Sequence, residues 1–331
     1  MMRPRVVLTH ALDPAAQERL AQHAEVRVLQ DTRADALRTA TAEADLLITR
    51  VPLPQDLFAL SPHLIGAVRC GAGLDSIPLE AATAAGVPVA NVPGVNAPSV
   101  AEYVLSQMLS VARRLHAVDH QLRTKDWFEA RAFGEAGSDL HGKTLGIVGT
   151  GAVGSAIGRA AGLGLGMAVL GHRRSADPLP PPFQRATLDE VIERGDYLVL
   201  ACPLTDQTRG LIDARRLARM KHGAWLINVA RGAVVVESDL VDALARGQLG
   251  GAILDVFETQ PLPADSPLRG FDNVLLSPHL AGTTQDSLRR IAEVAVAQAL
   301  DLLAGRRPPH LVNPAVWPQR RTRRFALKDA P

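Results

Sequence analysis

The segment Thr144-Leu145-Gly146-Ile147-Val148-Gly149-Thr150-Gly151-Ala152-Val153-Gly154 decides the fold. Its first five residues are an apolar run typical of a buried strand, and the next six have the pattern Gly-x-Gly-x-x-Gly. In such a strand–turn–helix unit the first glycine permits a tight turn, the second lets the backbone approach a pyrophosphate, and the third lets helix and strand pack closely. We therefore predict a dinucleotide-binding turn whose binding residues are Gly149, Gly151, Ala152, Val153 and Gly154. The alternative is an ordinary glycine-rich loop that binds nothing.

A second phosphate-binding pattern lies just upstream and has a different interpretation. Residues 137–144 match Gly-x-x-x-x-Gly-Lys-Thr letter for letter. A P-loop must follow a strand and open a helix, so that its amides and the helix dipole converge on phosphate. Here Lys143 and Thr144 open a strand, so we predict that this segment is only the entry to that strand.

Short apolar runs alternate with helical stretches on both sides of the glycine turn. The predicted strands are Val6–Thr9, Val26–Leu29, Asp45–Thr49, Ile65–Cys70, Val87–Val92, Thr144–Val148, Met167–Gly171, Tyr197–Ala201, Ala224–Asn228, Ala252–Val256 and Val274–Ser277. Such alternation predicts an α/β protein built on parallel sheets. Ser99 is the predicted N-cap of a long helix near residue 100. The last predicted helix, Ser287–Leu303, has no strand after it, so we expect it to pack back on the first domain.

Length and composition limit the class of protein. A chain of 331 residues favours two domains, and 47% hydrophobic with 21% charged residues is typical of a globular protein. The formal net charge of +2 argues against nucleic acid as a partner. Two cysteines cannot form a disulfide framework, and neither a signal core nor a membrane span is evident, so we expect a cytoplasmic protein without membrane contact. The basic run at 320–324 is interpreted as a disordered, solvated end.

The end of the second strand after the turn bears on the choice of cofactor. NAD-specific domains carry an acidic residue there, about 20 positions beyond the glycines, that binds the ribose hydroxyls. This chain has His172-Arg173-Arg174-Ser175 and no carboxylate. Because guanidinium groups and a hydroxyl would bind a 2′-phosphate, Arg173, Arg174 and Ser175 predict NADPH as the preferred cofactor, with NAD possible. Two solvated arginines on a loop are the alternative.

Seven motifs in order give the chain a resemblance to a known family. They are Cys70-Gly71-Ala72-Gly73-Leu74-Asp75-Ser76-Ile77, the run from Asn96 to Val104, the Gly149–Gly154 turn, Cys202 to Thr208, Asn228-Val229-Ala230-Arg231-Gly232, Leu254-Asp255-Val256-Phe257-Glu258, and Ser277-Pro278-His279-Leu280-Ala281-Gly282. Over nearly its full length the chain resembles the D-isomer-specific 2-hydroxyacid dehydrogenases. The resemblance implies two doubly wound domains, with a Rossmann-type cofactor domain (98–284) inserted in a flavodoxin-like substrate domain (1–97 and 285–331).

The resemblance also implies an activity and its residues. It implies hydride transfer between NAD(P)H and a small 2-keto acid to give the D-2-hydroxy acid, with glyoxylate or hydroxypyruvate preferred, in a homodimer. Arg231 would bind and polarise the keto acid, and His279 would be the general acid/base. The amides of Ala72 and Gly73 would bind the substrate carboxylate, and Arg50 its far end, although Arg50 is equally well read as solvated. Further cofactor-binding residues implied by the family are Val104, Cys202, Pro203, Thr208, Ala230, Asp255 and Gly282.

One position departs from the family pattern. The family usually has a glutamate paired with the catalytic histidine just before the Pro-Leu that follows the Asp-Val-Phe segment, where this chain has Gln260. A Gln–His pair resembles that of formate dehydrogenase, in which oxidation to carbon dioxide needs no proton relay; the other substrate-site stretches do not match that enzyme. We assign Gln260 to the catalytic set and expect His279 to lose its proton at lower pH than beside a glutamate. Glu258 could replace the missing carboxylate if its loop turned inward.

The same sequence features are compatible with other functions. A cofactor-sensing binding protein of the same fold with little turnover is the rival from another class, although the presence of both Arg231 and His279 argues against it. Formate-type and phosphoglycerate-type dehydrogenases are the alternatives among enzymes. His116 and His120 are four apart on a predicted helix but have no third ligand, so we predict no metal site.

Overall fold

The computed structural model describes residues 3–325. Contacts divide the chain into two units: residues up to Asn96 together with those from Thr284 onward form the first, and Ala97–Thr283 form the second. The first unit is therefore discontinuous in sequence. Residues 326–331, which end the predicted substrate domain, lie outside the described residues.

The first unit is built on a five-stranded parallel sheet. Its strands are β1 (Arg5–Leu8), β2 (Glu25–Val28), β3 (Leu46–Thr49), β4 (Gly66–Arg69) and β5 (Val89–Asn91). Their order is β2-β1-β3-β4-β5, the flavodoxin-like order. The helices are α1 (Pro14–His23), α2 (Ala34–Thr41), α3 (Leu57–Leu60), α4 (Leu79–Ala84) and α12 (Gln285–Leu303), and a 3₁₀ helix covers Pro314–Gln319.

Side-chain alternation explains why these strands are apolar throughout. Val6 and Leu8 pack in one core with α1 and α12, whereas Val7, between them, packs in a second core with α2, α3 and α4. All four residues of β3 are buried, because helices cover both faces of the sheet. The last helix packs on this sheet, with Ile291 and Ala295 buried in the α1 core.

The second unit is built on a seven-stranded parallel sheet. Its strands are β6 (Thr144–Val148), β7 (Ala168–His172), β8 (Phe183–Arg185), β9 (Tyr197–Leu200), β10 (Trp225–Asn228), β11 (Gly251–Leu254) and β12 (Val274–Leu276). The order β12-β11-β10-β9-β6-β7-β8 is the Rossmann order with one further strand. The helices are α5 (Ala97–Ala112), α6 (Leu115–Thr124), α7 (Trp127–Glu135), α8 (Ala152–Arg159), α9 (Leu188–Arg194), α10 (Ala214–Leu217) and α11 (Glu237–Ala245); a π turn covers Ala160–Gly164, and 3₁₀ turns cover Gly232–Val234 and Pro267–Gly270.

The predicted fold class, two doubly wound parallel sheets, is confirmed; two local predictions are wrong, and one strand was not predicted. The helix predicted to begin after Ser99 begins at Ala97, so Ser99 lies inside its first turn. Strand β8 was not predicted, because its three residues follow directly on a proline-rich stretch. The basic run is ordered in part, because Arg323 forms an ion pair with the fully buried carboxylate of Asp45.

Candidate active site

The predicted site residues of the second unit follow its strands at one edge of the sheet. Because all seven strands are parallel, their carboxyl ends lie at the same edge. The predicted residues after these ends are Gly149–Gly154 (β6), Arg173–Ser175 (β7), Cys202, Pro203 and Thr208 (β9), Ala230 and Arg231 (β10), Asp255 and Gln260 (β11), and His279 and Gly282 (β12). The chain reverses direction across the sheet between β6 and β9, and ligands of open α/β sheets bind beside such a switch point.

The glycine turn after β6 has the predicted geometry. Gly149 has φ of +95°, and a Cβ there would lie 2.6 Å from the Cys202 amide nitrogen. A side chain at Gly154 would collide with the Gly149 carbonyl oxygen. A Cβ at Gly151 would meet nothing within 4 Å, so the backbone there faces open space at the start of α8. The first and third glycines are thus required by packing, whereas no contact in this structure requires the second.

This turn fits the diphosphate of a dinucleotide cofactor. The N-terminus of α8, which begins at Ala152, opens onto the space beside Gly151 and offers backbone N–H donors to an anion. The hydroxyl oxygen of Thr150 is buried without a hydrogen-bond partner among the described residues, so it too can bind a group that enters the turn. The amide of Gly149 donates to the carbonyl of His172 at 2.9 Å, which joins the turn to the end of β7.

The arginines after β7 organise a loop as well as supplying charge. Arg173 donates through one Nη to the carbonyls of Asp177 and Pro178, both at 3.0 Å, while its Nε is buried without a partner among residues 3–325. Arg185, on β8, donates to the carbonyls of Asp177 and Ser175 at 2.7 and 2.5 Å. Arg185 was not among the predicted residues, because its strand was not predicted. Arg173 is therefore partly committed to the loop, and the region is positively charged.

The segment after β10 holds Arg231 in a fixed backbone conformation. The buried Asn228 side chain accepts from the Ala230 amide and donates to the Arg231 carbonyl, both at 3.0 Å. The Arg231 guanidinium donates to the Ala230 carbonyl at 2.7 Å, so the carbonyl implied for cofactor binding already accepts one hydrogen bond. A side chain at Gly232 would collide with the backbone of Phe257, which explains the Arg-Gly pair. The role of Asn228 was not predicted.

Asp255, after β11, binds the turn that follows β12. Its carboxylate is 2% exposed and accepts from the Ser277 hydroxyl at 2.6 Å and from the amides of Leu280 and Ala281 at 2.8 and 2.9 Å. Its backbone carbonyl accepts from the His279 amide at 2.8 Å. Asp255 was implied as a cofactor-binding residue; its contacts in this structure are with the turn that contains His279.

The structure brings Gln260 and His279 together. Gln260 Oε1 lies 3.3 Å from His279 Nδ1, both side chains are exposed, and the amide end of Gln260 lies 3.5 Å from the Phe257 carbonyl. His279 has φ of +55°, a left-handed backbone conformation that residues other than glycine rarely adopt. Glu258 is exposed, and its amide donates to the Glu237 carboxylate at 3.0 Å.

The other predicted cofactor residues differ in accessibility. Val104 is fully buried in the core beneath the sheet, and Cys202 is 8% exposed with a thiol whose pKa burial raises. The Thr208 hydroxyl donates to the Pro203 carbonyl at 2.7 Å and accepts from the Thr205 amide at 2.8 Å, so these residues form one closed turn after β9.

In the first unit, the predicted residues lie at the carboxyl edge of the five-stranded sheet. The side chain of Asn91 donates to the Ala72 carbonyl at 2.8 Å and fixes the Ala72–Gly73 turn after β4. Arg50 follows β3 and lines a cavity of about 320 Å³ with His10, Cys70 and the first turns of α12. Burial, then the charges of Arg50 and Arg69, lower the pKa of His10 to about 4.

The remaining candidates do not form sites. His116 and His120 are both exposed, and among the described residues no three His, Cys, Asp or Glu side chains are grouped to hold a metal ion. Burial raises the pKa of the Cys70 thiol to about 12, far from that of a nucleophile. No helix within residues 3–325 is long and apolar enough to cross a bilayer.

Comparisons with known proteins indicate one family. Residues 105–281 match the family model described as D-isomer specific 2-hydroxyacid dehydrogenase, NAD binding domain. The chain is 36% identical to the glyoxylate reductase of Aeropyrum pernix over 95% of this chain and 97% of that one. It is 34% identical to glyoxylate/hydroxypyruvate reductase B of Yersinia pestis over 95% and 99% of the two chains.

A solved structure gives the same result. The NADPH-dependent glyoxylate/hydroxypyruvate reductase of Sinorhizobium meliloti, solved with NADP and malonate, superimposes with a TM-score of 0.85 at 29% identity, over 97% of this chain and 100% of that one. The resemblance inferred from the seven motifs is confirmed. The chain therefore belongs to the D-isomer specific 2-hydroxyacid dehydrogenases and is an NAD(P)-dependent enzyme of that family.

Proposed function

We propose that this enzyme reduces small 2-keto acids to D-2-hydroxy acids, with glyoxylate and hydroxypyruvate as preferred substrates and NADPH as the preferred reductant. The observation that carries the proposal is the arrangement after three neighbouring strands: Arg231 after β10, Asp255 and Gln260 after β11, and His279 after β12. Arg231, the cation that would bind the keto acid, and His279, the proton donor, therefore lie at the same edge of the sheet as the glycine turn. The substrate preference is supported by the reductases to which the chain is similar.

Each side chain has a separate task in this reaction. When bound, the nicotinamide cofactor supplies the hydride that reduces the C2 carbonyl. The planar guanidinium of Arg231 binds the carboxylate and the carbonyl oxygen and stabilises the negative charge that develops on that oxygen. The protonated imidazole of His279 gives its proton to the same oxygen, and Gln260 orients the ring through Nδ1. The amides of Ala72 and Gly73 bind the substrate carboxylate, and Arg50 binds groups at its far end.

The preference for NADPH is supported by the charges after β7. The loop after β7 contains Arg173, Arg174 and Ser175, and Arg185 of β8 donates to its backbone. An NAD-specific enzyme would have a carboxylate in this loop. The Arg173 Nε is buried without a partner among residues 3–325, and one Nη lies 3.6 Å from an Asp177 carboxylate oxygen, so a phosphate would compete with Asp177 for this guanidinium. A guanidinium–phosphate pair is charge-assisted and favours the 2′-phosphate.

A homodimer formed through the second unit is part of the proposal. Helices α6 and α7 expose large apolar side chains, among them Trp127 at 63% and Phe128 at 80% of their surface, with Leu115 and Leu122 on the same helix pair. Exposed apolar groups of this size are typical of an interface. Sedimentation should give twice the chain mass, and Phe128→Glu should weaken association; a wild-type monomer at working concentration would contradict the dimer.

The catalytic proposal is tested with a panel of keto acids. NADPH and NADH oxidation is followed with glyoxylate, hydroxypyruvate, pyruvate and phenylpyruvate, and the product of hydroxypyruvate reduction is checked for D configuration. We expect the highest kcat/KM with glyoxylate or hydroxypyruvate, and a large loss in His279→Gln but not in His222→Gln, a control at an exposed histidine that precedes β10. Tight NADPH binding without oxidation by any keto acid would favour the cofactor-sensing alternative.

A further inference from the structure

Hydrogen bonds join three side chains between helix α5 and the turn after β12 that contains His279. The Tyr103 hydroxyl lies 2.6 Å from the Ser277 hydroxyl, which lies 2.6 Å from a carboxylate oxygen of Asp255. A carboxylate only accepts, and serine has a single hydroxyl proton. Ser277 therefore donates to Asp255, and Tyr103 must donate to Ser277. Burial, the largest effect, raises the pKa of Tyr103, so its hydroxyl keeps the proton that this arrangement requires.

Asp255, the last of these three side chains, forms hydrogen bonds to the backbone or side chains on both sides of His279. The carboxylate of Asp255 accepts from Ser277, two residues before the histidine, and from Leu280 and Ala281, directly after it. The backbone carbonyl of Asp255 accepts from the His279 amide itself. These contacts compensate for the left-handed backbone of His279, which a free chain would avoid.

We propose that Tyr103 and Ser277 are positioning residues for His279, acting through Asp255. This inference rests on the proposed function in one respect, the role of His279 as the proton donor. Tyr103 fixes the direction of the Ser277 proton, Ser277 fixes the orientation of the Asp255 carboxylate, and the carboxylate fixes the turn. Neither Tyr103 nor Ser277 has to touch the substrate, and the imidazole points from a backbone that these contacts determine.

The two substitutions should have graded effects. In Tyr103→Phe, Ser277 still donates to Asp255 and loses only one partner, so we expect kcat to fall about 2- to 10-fold, the value of one neutral hydrogen bond. In Ser277→Ala, the carboxylate loses a donor and Tyr103 loses its acceptor; misplacement of the imidazole can then lower kcat by up to about 100-fold. Ser277→Thr retains the hydroxyl and should recover most of the rate. The Kd for NADPH should be nearly unchanged in all three.

The chain supplies a matched control for the tyrosine. Tyr197 begins β9 at the opposite, amino edge of the same sheet; it is 5% exposed, and its hydroxyl pairs with Ser138. Tyr197→Phe removes the same atom from the same unit and should lower Tm without lowering kcat. If the role of Tyr103 is only structural, the two tyrosine variants will behave alike.

A spectroscopic measurement separates failure of this inference from failure of the proposed function. In protein labelled with ¹⁵N-histidine, the His279 imidazole signals are assigned by their loss in His279→Gln. We expect Ser277→Ala to shift or broaden them and Tyr197→Phe to leave them in place. Unchanged signals and unchanged kcat in Ser277→Ala, with kcat lost in His279→Gln, would overturn the inference alone; a fully active His279→Gln would overturn the assignment on which it rests.

Discussion

The segments that carry Arg231 and His279 in the second unit, and the cavity lined by Arg50 in the first, differ in how far the chain satisfies its own polar groups. In the second unit, Asn228 and Asp255 are buried and bonded to the segments that carry Arg231 and His279. In the first unit, Arg50 lines a cavity, and its guanidinium has no hydrogen-bond or ion-pair partner in the part of the chain that the structure describes. The neighbouring His10 has its pKa lowered to about 4, chiefly by burial and then by Arg50 and Arg69.

This difference indicates two kinds of binding edge. Buried, fully bonded polar groups keep Arg231 and His279, the proposed catalytic residues, in one geometry, so little reorganisation would be needed during the reaction. Unpaired positive charge in a cavity is unfavourable until an anion enters, so it contributes through binding. We therefore expect changes at the second edge to affect kcat and changes at the first to affect KM.

The largest expected effect comes from removing one arginine at each edge. Arg231→Gln should lower kcat/KM for glyoxylate by about 10³-fold, because a preorganised donor to the developing charge is lost. Arg50→Gln should raise KM by about 10-fold and leave kcat within about twofold, because its contact is the same in ground and transition states. Steady-state kinetics with NADPH measure both, and NADPH titration controls for cofactor binding. Equal losses of kcat in both variants would remove the distinction between the edges.

Arg173 tests whether the charge after β7 selects the cofactor. A charge-assisted contact to the 2′-phosphate is worth about 1.5–3 kcal/mol, or roughly 10- to 150-fold, so Arg173→Asp should lower kcat/KM for NADPH by that factor and spare NADH. Arg173→Gln retains an amide donor for the loop carbonyls and separates loss of charge from loss of loop structure. Arg194→Asp, an exposed site at the end of α9, is the charge-matched control. An unchanged NADPH/NADH ratio in Arg173→Asp would refute this role.

His10 should make the first edge sensitive to acid. Its folded pKa of about 4 lies below the usual 6.5, so between these values the unfolded chain takes up a proton that the folded chain does not. The free energy of unfolding should therefore fall as pH drops from 6.5 toward 4, and His10→Gln should reduce this loss. Arg50→Gln should reduce it in part, and His222→Gln should not. Denaturant unfolding at several pH values measures the slopes; parallel curves for wild type and His10→Gln would contradict the prediction.

The fold could be predicted because its signals are local. Each strand of β6 and β9–β11 is an apolar run covered on both faces, and the first and third glycines of the turn have packing reasons that the pattern Gly-x-Gly-x-x-Gly predicts. The side chains that hold the site depend instead on partners far away in sequence. Tyr103 and Ser277 are 174 residues apart, and Arg323 and Asp45 are 278 apart. No spacing rule joins such pairs, so their contacts required the tertiary structure.

Gln260→Glu is expected to have the smallest effect on the rate, and it changes only one charge at the carboxyl edge of the second sheet. The amide accepts from or orients the His279 ring at 3.3 Å but carries no charge, whereas a glutamate carboxylate there would stabilise the imidazolium. Reduction needs the protonated imidazole, so its rate falls as pH rises and the proton is lost; oxidation of the hydroxy acid needs the neutral ring and persists at higher pH. Gln260→Glu should therefore move the alkaline limb of kcat/KM for reduction upward by about one pH unit, the effect of one nearby opposite charge.

Glu258 is the competing carboxylate, but it is exposed and its backbone amide donates to Glu237, so Glu258→Gln should leave the limb in place. A deuterium isotope effect from labelled NADPH must first show that hydride transfer limits the rate. If Glu258→Gln moves the limb and Gln260→Glu does not, Glu258 rather than Gln260 controls the protonation of His279.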